Sequence, residues 1–400
     1  MERDELAAWL KLTLTPGVGN ETARKLLAAF GLPQAVFEQS AIALRQVVSA
    51  AQASALQAEP PELASQLDAT WQWLHDATPD TRRRVLALGD ADYPASLLTI
   101  EDPPLMLYLL GAASFQTYSA PALAGAAQSA TNLIADGLLH SIAIVGSRNP
   151  TPQGATNARQ FAKAFSEAGL TVISGLALGI DGAAHLGALE GAGEGVQRLA
   201  TVAVVGTGLD RVYPKKHLAL AHRIAQHGLI ISEFPLGTPP LAANFPKRNR
   251  ILAGLAQGTL VVEAALQSGS LITARLAAEQ GKDVFAIPGS IHSTLSRGCH
   301  ALIKQGAKLV ESAHDVLEEL HLPVAPKPIA TDEDRTGAEH QNPSQDSLLK
   351  QMGYDPVSLD ALQARTGLAT AHLQAKLLEL ELDGLVARLP GGLFQRMGRA

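Results

Sequence analysis

The sequence is almost free of cysteine, with Cys299 alone among 400 residues. A single thiol excludes an intramolecular disulfide and any metal site built from several thiolates, and it is typical of a protein from a reducing compartment. No apolar run approaches the roughly 18 residues that a membrane helix needs. The N-terminus, MERDELAAWLKL, carries acids where a signal peptide is basic. We therefore expect a cytoplasmic protein with no membrane partner.

Aromatic residues are also few, at 4%, and the net charge of −6 has the wrong sign for a nucleic-acid-binding protein. The charge is unevenly distributed, however. Residues 141–320 contain 16 Lys and Arg against 13 Asp and Glu, a net charge of +3, whereas residues 1–140 carry −7 and residues 321–400 carry −2. The middle segment is the one basic part of the chain, and its local field permits an anionic ligand.

The length and the local patterns predict several units. Residues 1–85 are predicted to form a small all-α domain, in which Pro16-Gly17-Val18-Gly19 before a helix resembles a helix-hairpin-helix turn; a plain tight turn between packed helices stays open. Residues 321–346, rich in proline and acids, predict a linker. Residues 347–400 read as two helices and a β-hairpin, which favours a winged-helix domain that contacts either DNA or protein.

Residues 86–320 alternate short apolar strands with helices. The predicted strands are Ser141–Val145, Leu170–Ser174, Ala200–Val205, Leu229–Ser232, Thr259–Glu263 and Asp283–Pro288. The predicted helices are Ala155–Ala168, Asp181–Leu189, Lys216–Gln226, Arg248–Leu255, Ser270–Gln280 and Gly298–Gln305. Continuous apolar strands separated by such helices predict an α/β fold with a doubly wound parallel sheet. We expect residues 112–137 to be an exposed insertion and residues 190–197 a flexible loop.

Glycine or serine follows almost every predicted strand. The segments are Gly146-Ser147-Arg148, Ser174-Gly175-Leu176, Gly206-Thr207-Gly208, Ser268-Gly269-Ser270 and Pro288-Gly289-Ser290. In an open parallel sheet these loops meet at one edge, where ligands bind. Backbone amides and helix N-termini at that edge form a cradle for phosphates.

Basic side chains follow the same strands. They are Arg148, Lys215, Lys216, Lys247, Arg248 and Arg250, with Asn249 among them. Arginine pairs with phosphate through two parallel hydrogen bonds, and lysine acts as a point charge. We interpret them as part of an anion-binding edge.

Cofactor and catalytic motifs fail in detail. The third glycine of a dinucleotide fingerprint is missing after Gly206-Thr207-Gly208, and there is no P-loop sequence. Asp181 and His185 lie four residues apart on a predicted helix, which fits either metal or acid–base chemistry, or a helix cap above a packed histidine. No other set of residues has catalytic spacing. We therefore predict a binding protein and not an enzyme, with no cofactor and no metal.

The combination of motifs resembles the DprA/Smf family. The motifs are Ile144-Val145-Gly146-Ser147-Arg148, Ser174-Gly175-Leu176-Ala177 with Gly179-Ile180-Asp181, Gly206-Thr207-Gly208-Leu209-Asp210 with Tyr213-Pro214, Ser232-Glu233-Phe234-Pro235, Phe245-Pro246 with Arg248-Asn249-Arg250, Ser268-Gly269-Ser270-Leu271, and Phe285-Ala286-Ile287-Pro288-Gly289 with Gly298-Cys299-His300. They cover about residues 90–310 in order.

The resemblance implies an extended Rossmann-like domain that binds single-stranded DNA and forms homodimers. Family members protect incoming DNA during natural transformation and load the RecA recombinase onto it. By matching motif, Gly146, Ser147 and Arg148 grip the phosphate backbone, with the basic residues above nearby. The resemblance also places dimer and RecA contacts around Leu302, Ile303 and Leu309.

Two other functions remain open. Nucleotide phosphoribohydrolases of the LOG type share a related fold, but their Pro-Gly-Gly-x-Gly-Thr signature is absent, and the corresponding strand runs into Glu263-Ala264-Ala265. Release of a base from a nucleoside monophosphate would favour that enzyme. A transcription regulator acting through the C-terminal module would instead bind duplex DNA of defined sequence.

Overall fold

The structure is a computed structural model, and it describes residues 1–76, 81–111, 118–119, 130–131, 138–193, 199–321 and 343–397. Most of the predicted insertion (112–137), the second half of the predicted loop (190–197) and most of the predicted linker (321–346) lie outside the described residues. Within the described part, no helix is both long and apolar enough to cross a membrane.

The N-terminal region is helical, as predicted. Its helices are α1 (Arg3–Leu14), α2 (Asn20–Phe30), α3 (Pro33–Phe37), α4 (Ala41–Leu44), α5 (Ala50–Gln57) and α6 (Leu63–His75). Ser49 caps α5 with a full capping box, in which Gln52 returns the hydrogen bond. The core of these helices continues into the sheet, since the ring of Trp73 packs on Tyr108 with centroids 6.0 Å apart. The helical region therefore shares a core with part of the sheet and is not a separate unit.

A nine-stranded sheet forms the centre of the described structure. The strands in chain order are β1 (Arg82–Ala87), β2 (Met106–Gly111), β3 (Tyr118–Ser119), β4 (Ala130–Thr131), β5 (Ser141–Val145), β6 (Thr171–Ser174), β7 (Thr201–Val204), β8 (Leu229–Ser232), β9 (Gly258–Val261), β10 (Asp283–Ala286) and β11 (Lys308–Leu309). Their order is β1-β2-β8-β7-β6-β5-β9-β10-β11, and β3 pairs with β4 separately.

The strands from β8 to β11 in this order run parallel, which confirms the predicted sheet. The antiparallel pair β1 and β2 extends it at one edge. Strand β1 was not predicted from the sequence, because three consecutive arginines begin it and only its last three residues are buried. This strand also starts within the segment predicted to be helical (1–85).

Helices cover both faces of the sheet. They are α7 (Ala95–Leu98), α8 (Pro152–Glu167), α9 (Ile180–Gly191), α10 (Leu218–His227), α11 (Asn244–Leu255), α12 (Ser270–Glu279), α13 (Arg297–Lys304) and α14 (Ala313–Glu319), with a 3-10 turn at Lys215–His217. Alternate residues of β5 face opposite sides: Ile142 and Ile144 share a core with α8, whereas Ala143 and Val145 share one with α11. Burial on both faces explains why the strands are continuously apolar.

The direction of winding reverses between β5 and β9. The chain passes from β5 through β6 and β7 to β8 on one side, and from β9 through β10 to β11 on the other. Such a reversal leaves a crevice outside the carboxyl ends of the two central strands, where doubly wound folds bind their ligands.

The C-terminal module is a winged helix, as predicted. It contains α15 (Pro343–Met352), β12 (Val357–Ser358), α16 (Leu359–Thr366), α17 (Thr370–Leu382), β13 (Val386–Leu389) and β14 (Leu393–Arg396). Leu362, Leu373, Leu377 and Phe394 belong to a core of its own. Helix α15 begins at Pro343, a few residues before the predicted end of the linker, because a proline fits the first turn of a helix.

Candidate nucleic-acid interface

A cleft of about 610 Å³ opens at the switch point between β5 and β9. Loops that follow five parallel strands form its walls. The lining residues include Gly146 and Arg148 after β5, Ala177 and Asp181 after β6, Tyr213 after β7, Phe245, Arg248 and Asn249 of α11 after β8, and Ser268, Gly269 and Ser270 after β9. Two of the five predicted glycine- or serine-rich segments thus supply lining residues, Gly146 with Arg148 and Ser268-Gly269-Ser270, and the loop after β6 reaches the cleft at Ala177 and Asp181. Residues 206–208 and 288–290 are not among the lining residues, so the cleft brings together only part of the predicted set.

Two arginines of different exposure belong to the cleft. Arg148 is exposed, and its guanidinium carbon lies 5.4 Å from the centroid of the Phe245 ring. The Tyr213 ring lies beside Phe245 with centroids 5.8 Å apart. Arg248, by contrast, is 5% exposed. Within the described residues, neither guanidinium forms an ion pair with a carboxylate. Asp181 is the one acidic residue among those that line the cleft, against two arginines, so the cleft keeps a net positive charge.

Gly175 makes room for the buried arginine. A Cβ atom at Gly175 would lie 1.5 Å from Nη1 of Arg248, so any side chain here would displace the guanidinium. Nη1 donates to the Val204 carbonyl at 2.8 Å, while Nε is buried without a hydrogen-bond partner in the described part of the chain. Burial lowers the pKa of Arg248, and the nearby Asp181 carboxylate opposes that shift. Arg248 is thus held on the cleft floor by burial and a backbone contact.

Asp181 organises the loop after β6. Its Oδ2 accepts hydrogen bonds from the amides of Gly175 at 3.2 Å and Ala177 at 3.3 Å. The N-cap of α9 is Gly179, so the carboxylate caps the preceding loop and not its own helix. Burial raises the pKa of Asp181, and the Arg248 charge works against that rise. Because its amide is occupied, Gly175 contributes room for the Arg248 guanidinium and no free donor.

His185 lies in the core behind this loop, fully buried. Its Nδ1 lies 2.8 Å from the Thr201 hydroxyl, which itself donates to the Val172 carbonyl at 2.6 Å. Nδ1 therefore carries the proton and donates. Burial, aided by the neighbouring His217 and Arg248, lowers the pKa of His185 to about 3. The geometry agrees with the packed-histidine interpretation and gives His185 no access to the cleft.

An internal carboxylate occupies the N-terminus of α8. Glu263 accepts from the Thr151 amide at 2.9 Å and from the Thr151 hydroxyl at 2.5 Å, and Thr151 is the N-cap of α8. A Cβ atom at Gly154 would lie 2.3 Å from the Glu263 carboxyl carbon. Burial raises the pKa of Glu263, and the two Thr151 hydrogen bonds pull it down. This helix N-terminus therefore lacks the open position that a phosphate takes in related folds.

The Gly146-Ser147-Arg148 loop is also internally bonded. The Ser147 amide donates to the Glu263 carbonyl at 2.7 Å, and its hydroxyl accepts from the Asn149 amide at 3.1 Å. A Cβ atom at Gly146 would lie 2.7 Å from the Ile180 side chain. The loop consequently offers the Arg148 side chain and the Ser147 hydroxyl to a ligand.

The N-terminus of α12, in contrast, opens into the cleft. Its N-cap, Gly269, has no side-chain cap, and a Cβ atom there would meet nothing within 4 Å. The hydroxyls of Ser268 and Ser270 lie 2.6 Å apart, and the Asn249 amide group donates to the Gly269 carbonyl at 3.3 Å. The first amides of α12 are engaged within the turn: Ser270 donates to the Ser268 hydroxyl at 3.3 Å, and Leu271 and Ile272 donate to the Ser268 and Gly269 carbonyls at 3.1 Å each. Because this turn contains no acidic residue, its dipole and its serine hydroxyls, beside two arginines, are still suited to an anion.

Three exposed lysines surround the cleft without lining it. Lys215 and Lys216 lie on the 3-10 turn after Tyr213, and Lys247 lies in the first turn of α11. None of them forms an ion pair within the described residues. They add to the positive field at the rim.

The structure does not bring Gly208 and Arg250 into the cleft. The Gly208 amide donates to the Thr238 carbonyl at 3.1 Å, and the glycine is buried under the loop after β8. Arg250 pairs with Glu233, and its Nε lies 3.3 Å from Asp102. These two predictions are corrected: both residues hold neighbouring segments in place. Sequence analysis missed these carboxylate partners and the role of Glu263.

The residues predicted at the dimer and RecA interface lie elsewhere. Leu302 and Ile303 are on α13, and Leu302, 9% exposed, lines a groove of about 480 Å³ beside α12. Leu309 is 45% exposed on β11, the edge strand of the sheet. They form no part of the cleft.

Comparisons with known proteins agree on one group of relatives. Residues 134–321 match the family model for DNA recombination-mediator protein A, and residues 315–392 match the DprA winged helix domain. The chain is 32% identical to Protein Smf of Synechocystis over 430 residues, which cover 99% of this chain and 100% of that protein. It is 43% identical to Protein Smf of Escherichia coli over 279 residues, which cover 67% and 72%. The X-ray structure of DNA processing protein A from Streptococcus pneumoniae is similar with a TM-score of 0.60 at 35% identity, covering 80% of this chain and 98% of that one.

Proposed function

The chain belongs to the DprA/Smf family of DNA-processing proteins, and from this premise we propose that it binds single-stranded DNA in the cleft between β5 and β9. The contacts are to phosphates, with little readout of base sequence. One observation carries the proposal. Arg148 and Arg248 share a cleft with the serine-containing N-terminal turn of α12, which has no acidic residue, and neither guanidinium forms an ion pair with a carboxylate within the described residues.

The shape of the cleft supports a single strand over a duplex. A volume of about 610 Å³ accepts a short flexible segment, whereas a duplex meets the cleft only at its rim. The Tyr213 and Phe245 rings, with Arg148 above Phe245, offer a small surface on which a base stacks. Stacking is indifferent to base identity, which fits a protein that handles DNA of any sequence.

The biological role follows from the family. We propose that the chain acts in the cytoplasm as a homodimer, protects incoming single-stranded DNA during natural transformation or recombination, and loads RecA onto it. The exposed Leu309 on the edge strand, with Leu302 and Ile303 on the neighbouring helix, is the proposed surface for the dimer and RecA. If loading occurs there, Leu309→Glu should slow RecA filament growth on bound DNA while leaving binding in the cleft unchanged.

The site favours binding over nucleotide hydrolysis. A nucleoside monophosphate in a doubly wound fold needs a helix N-terminus for its phosphate. Here Glu263 occupies that position on α8, and its charge repels a phosphate. The catalytic alternative therefore has less support than the binding function.

The test is a comparison of ligands. Fluorescence anisotropy should show that a labelled single strand binds at least about tenfold more tightly than the duplex of the same sequence, and that oligothymidine and mixed sequences bind alike. A parallel incubation with nucleoside monophosphates should release no free base. Equal affinity for both forms of DNA, or release of base, would overturn the proposal.

A further inference from the structure

The second helix of the C-terminal helix-turn-helix is poorly suited to DNA. In DNA-binding winged helices this element enters the major groove and contacts phosphates and base edges. Here that element is α17, in which Lys376 is the one lysine or arginine, against Glu379 and Glu381, with Asp383 directly after it. An acidic helix is repelled by the phosphate backbone. Its exposed face needs another explanation.

That exposed face carries a regular apolar stripe. The stripe consists of Ala371, Ala375, Leu378 and Leu382, all exposed, with Leu378 57% and Leu382 81% exposed. Spacings of four, three and four residues are those of the a and d positions of a coiled-coil seam. The opposite face of α17 supplies the module's own core through Leu373, Leu377 and Leu380. Helix α17 therefore has two apolar faces, and one of them has no partner in the described structure.

The stripe is complementary to itself when a second copy runs antiparallel. A twofold axis between residues 376 and 377 places Ala371 opposite Leu382 of the second copy. The same axis places Ala375 opposite Leu378 of the second copy. Each contact then joins a small side chain to a large one, which fills space without collision. Such an arrangement is the self-matching geometry of a twofold dimer.

The flanking polar residues select the same direction. In the antiparallel pair, His372 lies beside Glu379 of the second copy, and Gln374 lies beside Glu381. In an in-register parallel pair, each residue of the stripe would instead face its own equivalent, alanine against alanine and leucine against leucine, which alternates gaps with crowding along the seam. His372 lies in the first turn of α17 and Lys376 at its midpoint, whereas Glu379 and Glu381 lie in its C-terminal half. The pairing of small with large side chains along the seam, with His372 and Gln374 beside the glutamates, therefore favours an antiparallel second copy over a parallel one.

We propose that α17 is a self-association surface, through which the winged-helix module of one copy pairs antiparallel with that of another. The stripe has only four side chains per helix, so the contact is weak between free molecules. It strengthens when another contact already holds two copies near each other, because the effective concentration rises. This inference does not depend on DNA binding in the cleft.

Cysteine cross-linking of the full chain tests the pairing and its direction. Cys299 is buried, so an engineered surface cysteine is the reactive thiol within the described residues. The variants Ala371→Cys and Leu382→Cys are prepared separately, mixed and oxidised. Disulfides need Cα atoms within about 7 Å. Antiparallel pairing brings residue 371 of one copy to residue 382 of the other. Equivalent cysteines in that pair are separated by eleven helical residues, or about 16 Å.

The expected result is a covalent dimer in the mixture and little in either variant alone. Cross-linking of Ala371→Cys with itself would show a parallel pair and overturn the proposal. Absence of any cross-link would assign the stripe to another occupant, such as a different protein or another surface of the same chain, and would also overturn it.

Solution mass provides the second measurement. Leu378→Glu combined with Leu382→Glu changes exposed side chains only, so the module should remain folded by circular dichroism. At high protein concentration, the largest species formed by the wild type should have at least twice the mass of the largest species formed by the double variant. The matched control is Leu32→Glu, at a leucine that is 63% exposed on α3's N-terminal flank. It should behave as wild type, and equal masses for all three proteins would contradict the proposal.

Discussion

Two groups of cations at one sheet edge differ in what they do. Arg148 and Lys247 are exposed and have no carboxylate partner within the described residues, whereas Arg248 and Arg250 are held inside the fold. Lys247, Arg248 and Arg250 lie on a single turn of α11. These neighbours in sequence therefore fall into different groups because their side chains point in different directions. The ligand therefore meets the exposed group at the rim of the cleft, whereas in the buried group Arg248 forms the floor of the cleft and Arg250 holds neighbouring segments together.

The helix N-termini at the same edge divide in the same way. Both α8 and α12 begin after glycine- or serine-containing loops beside the central strands. The Glu263 carboxylate occupies the N-terminus of α8, whereas the first turn of α12 contains no acidic residue and faces the cleft. Glycine-rich sequence marks places where backbone approaches closely, and the occupant is either a ligand or the protein's own side chain.

The largest expected effect concerns the buried group. Arg250→Met leaves the Glu233 carboxylate buried without its partner, and burial already raises the pKa of Glu233. We expect the free energy of unfolding to fall by about 3–5 kcal/mol, measured by urea denaturation. The affinity of the folded variant for single-stranded DNA should stay unchanged. A variant of normal stability that binds DNA poorly would move Arg250 into the ligand-binding group.

A smaller effect depends on pH and on His185. Its folded pKa of about 3 is below the unfolded value of about 6.5, so the unfolded chain takes up the proton first as the pH falls. The contribution of the neutral His185 to the free energy of unfolding is therefore fully present above about pH 6.5. Below about pH 6, the free energy of unfolding decreases by about 1.4 kcal/mol per pH unit. Urea titrations between pH 7 and pH 4.5 should show this slope, and His185→Gln should flatten it. The exposed His222 supplies the control: His222→Gln should leave the slope as it is.

The next prediction compares the loss of stability caused by alanine substitution at two glycines near the cleft. Gly175→Ala forces its Cβ into the Arg248 guanidinium and should lower the free energy of unfolding by about 1–3 kcal/mol. Gly269→Ala meets open space and has an ordinary backbone angle, with φ of −62°, so its stability should stay within about 0.5 kcal/mol of wild type. Thermal or urea unfolding of the pair checks this. Equal stabilities would show that Arg248 moves aside at little cost.

Local patterns were sufficient for the architecture and for the cleft's position. Burial on both faces makes β5 to β10 continuously apolar, and glycine ends several of them, so the parallel sheet and its edge were predictable. The function of individual polar residues was not. Glu263 acts on Thr151, which is 112 positions away in the chain, and Arg250 contacts Asp102 in a connector far along the sequence. Such pairings arise from the tertiary fold, and no local pattern in the chain marks them.

The most direct test of the account is a salt titration of single-stranded DNA binding by wild type, Lys247→Gln and Arg148→Glu. With about four phosphates engaged, log affinity against log salt concentration should have a slope near −3 for wild type, and Lys247→Gln should reduce its magnitude by about 0.7. Arg148→Glu should weaken binding at least about tenfold at low salt without loss of stability. Binding that is indifferent to salt and to Arg148 would contradict the assignment of the cleft as the DNA site.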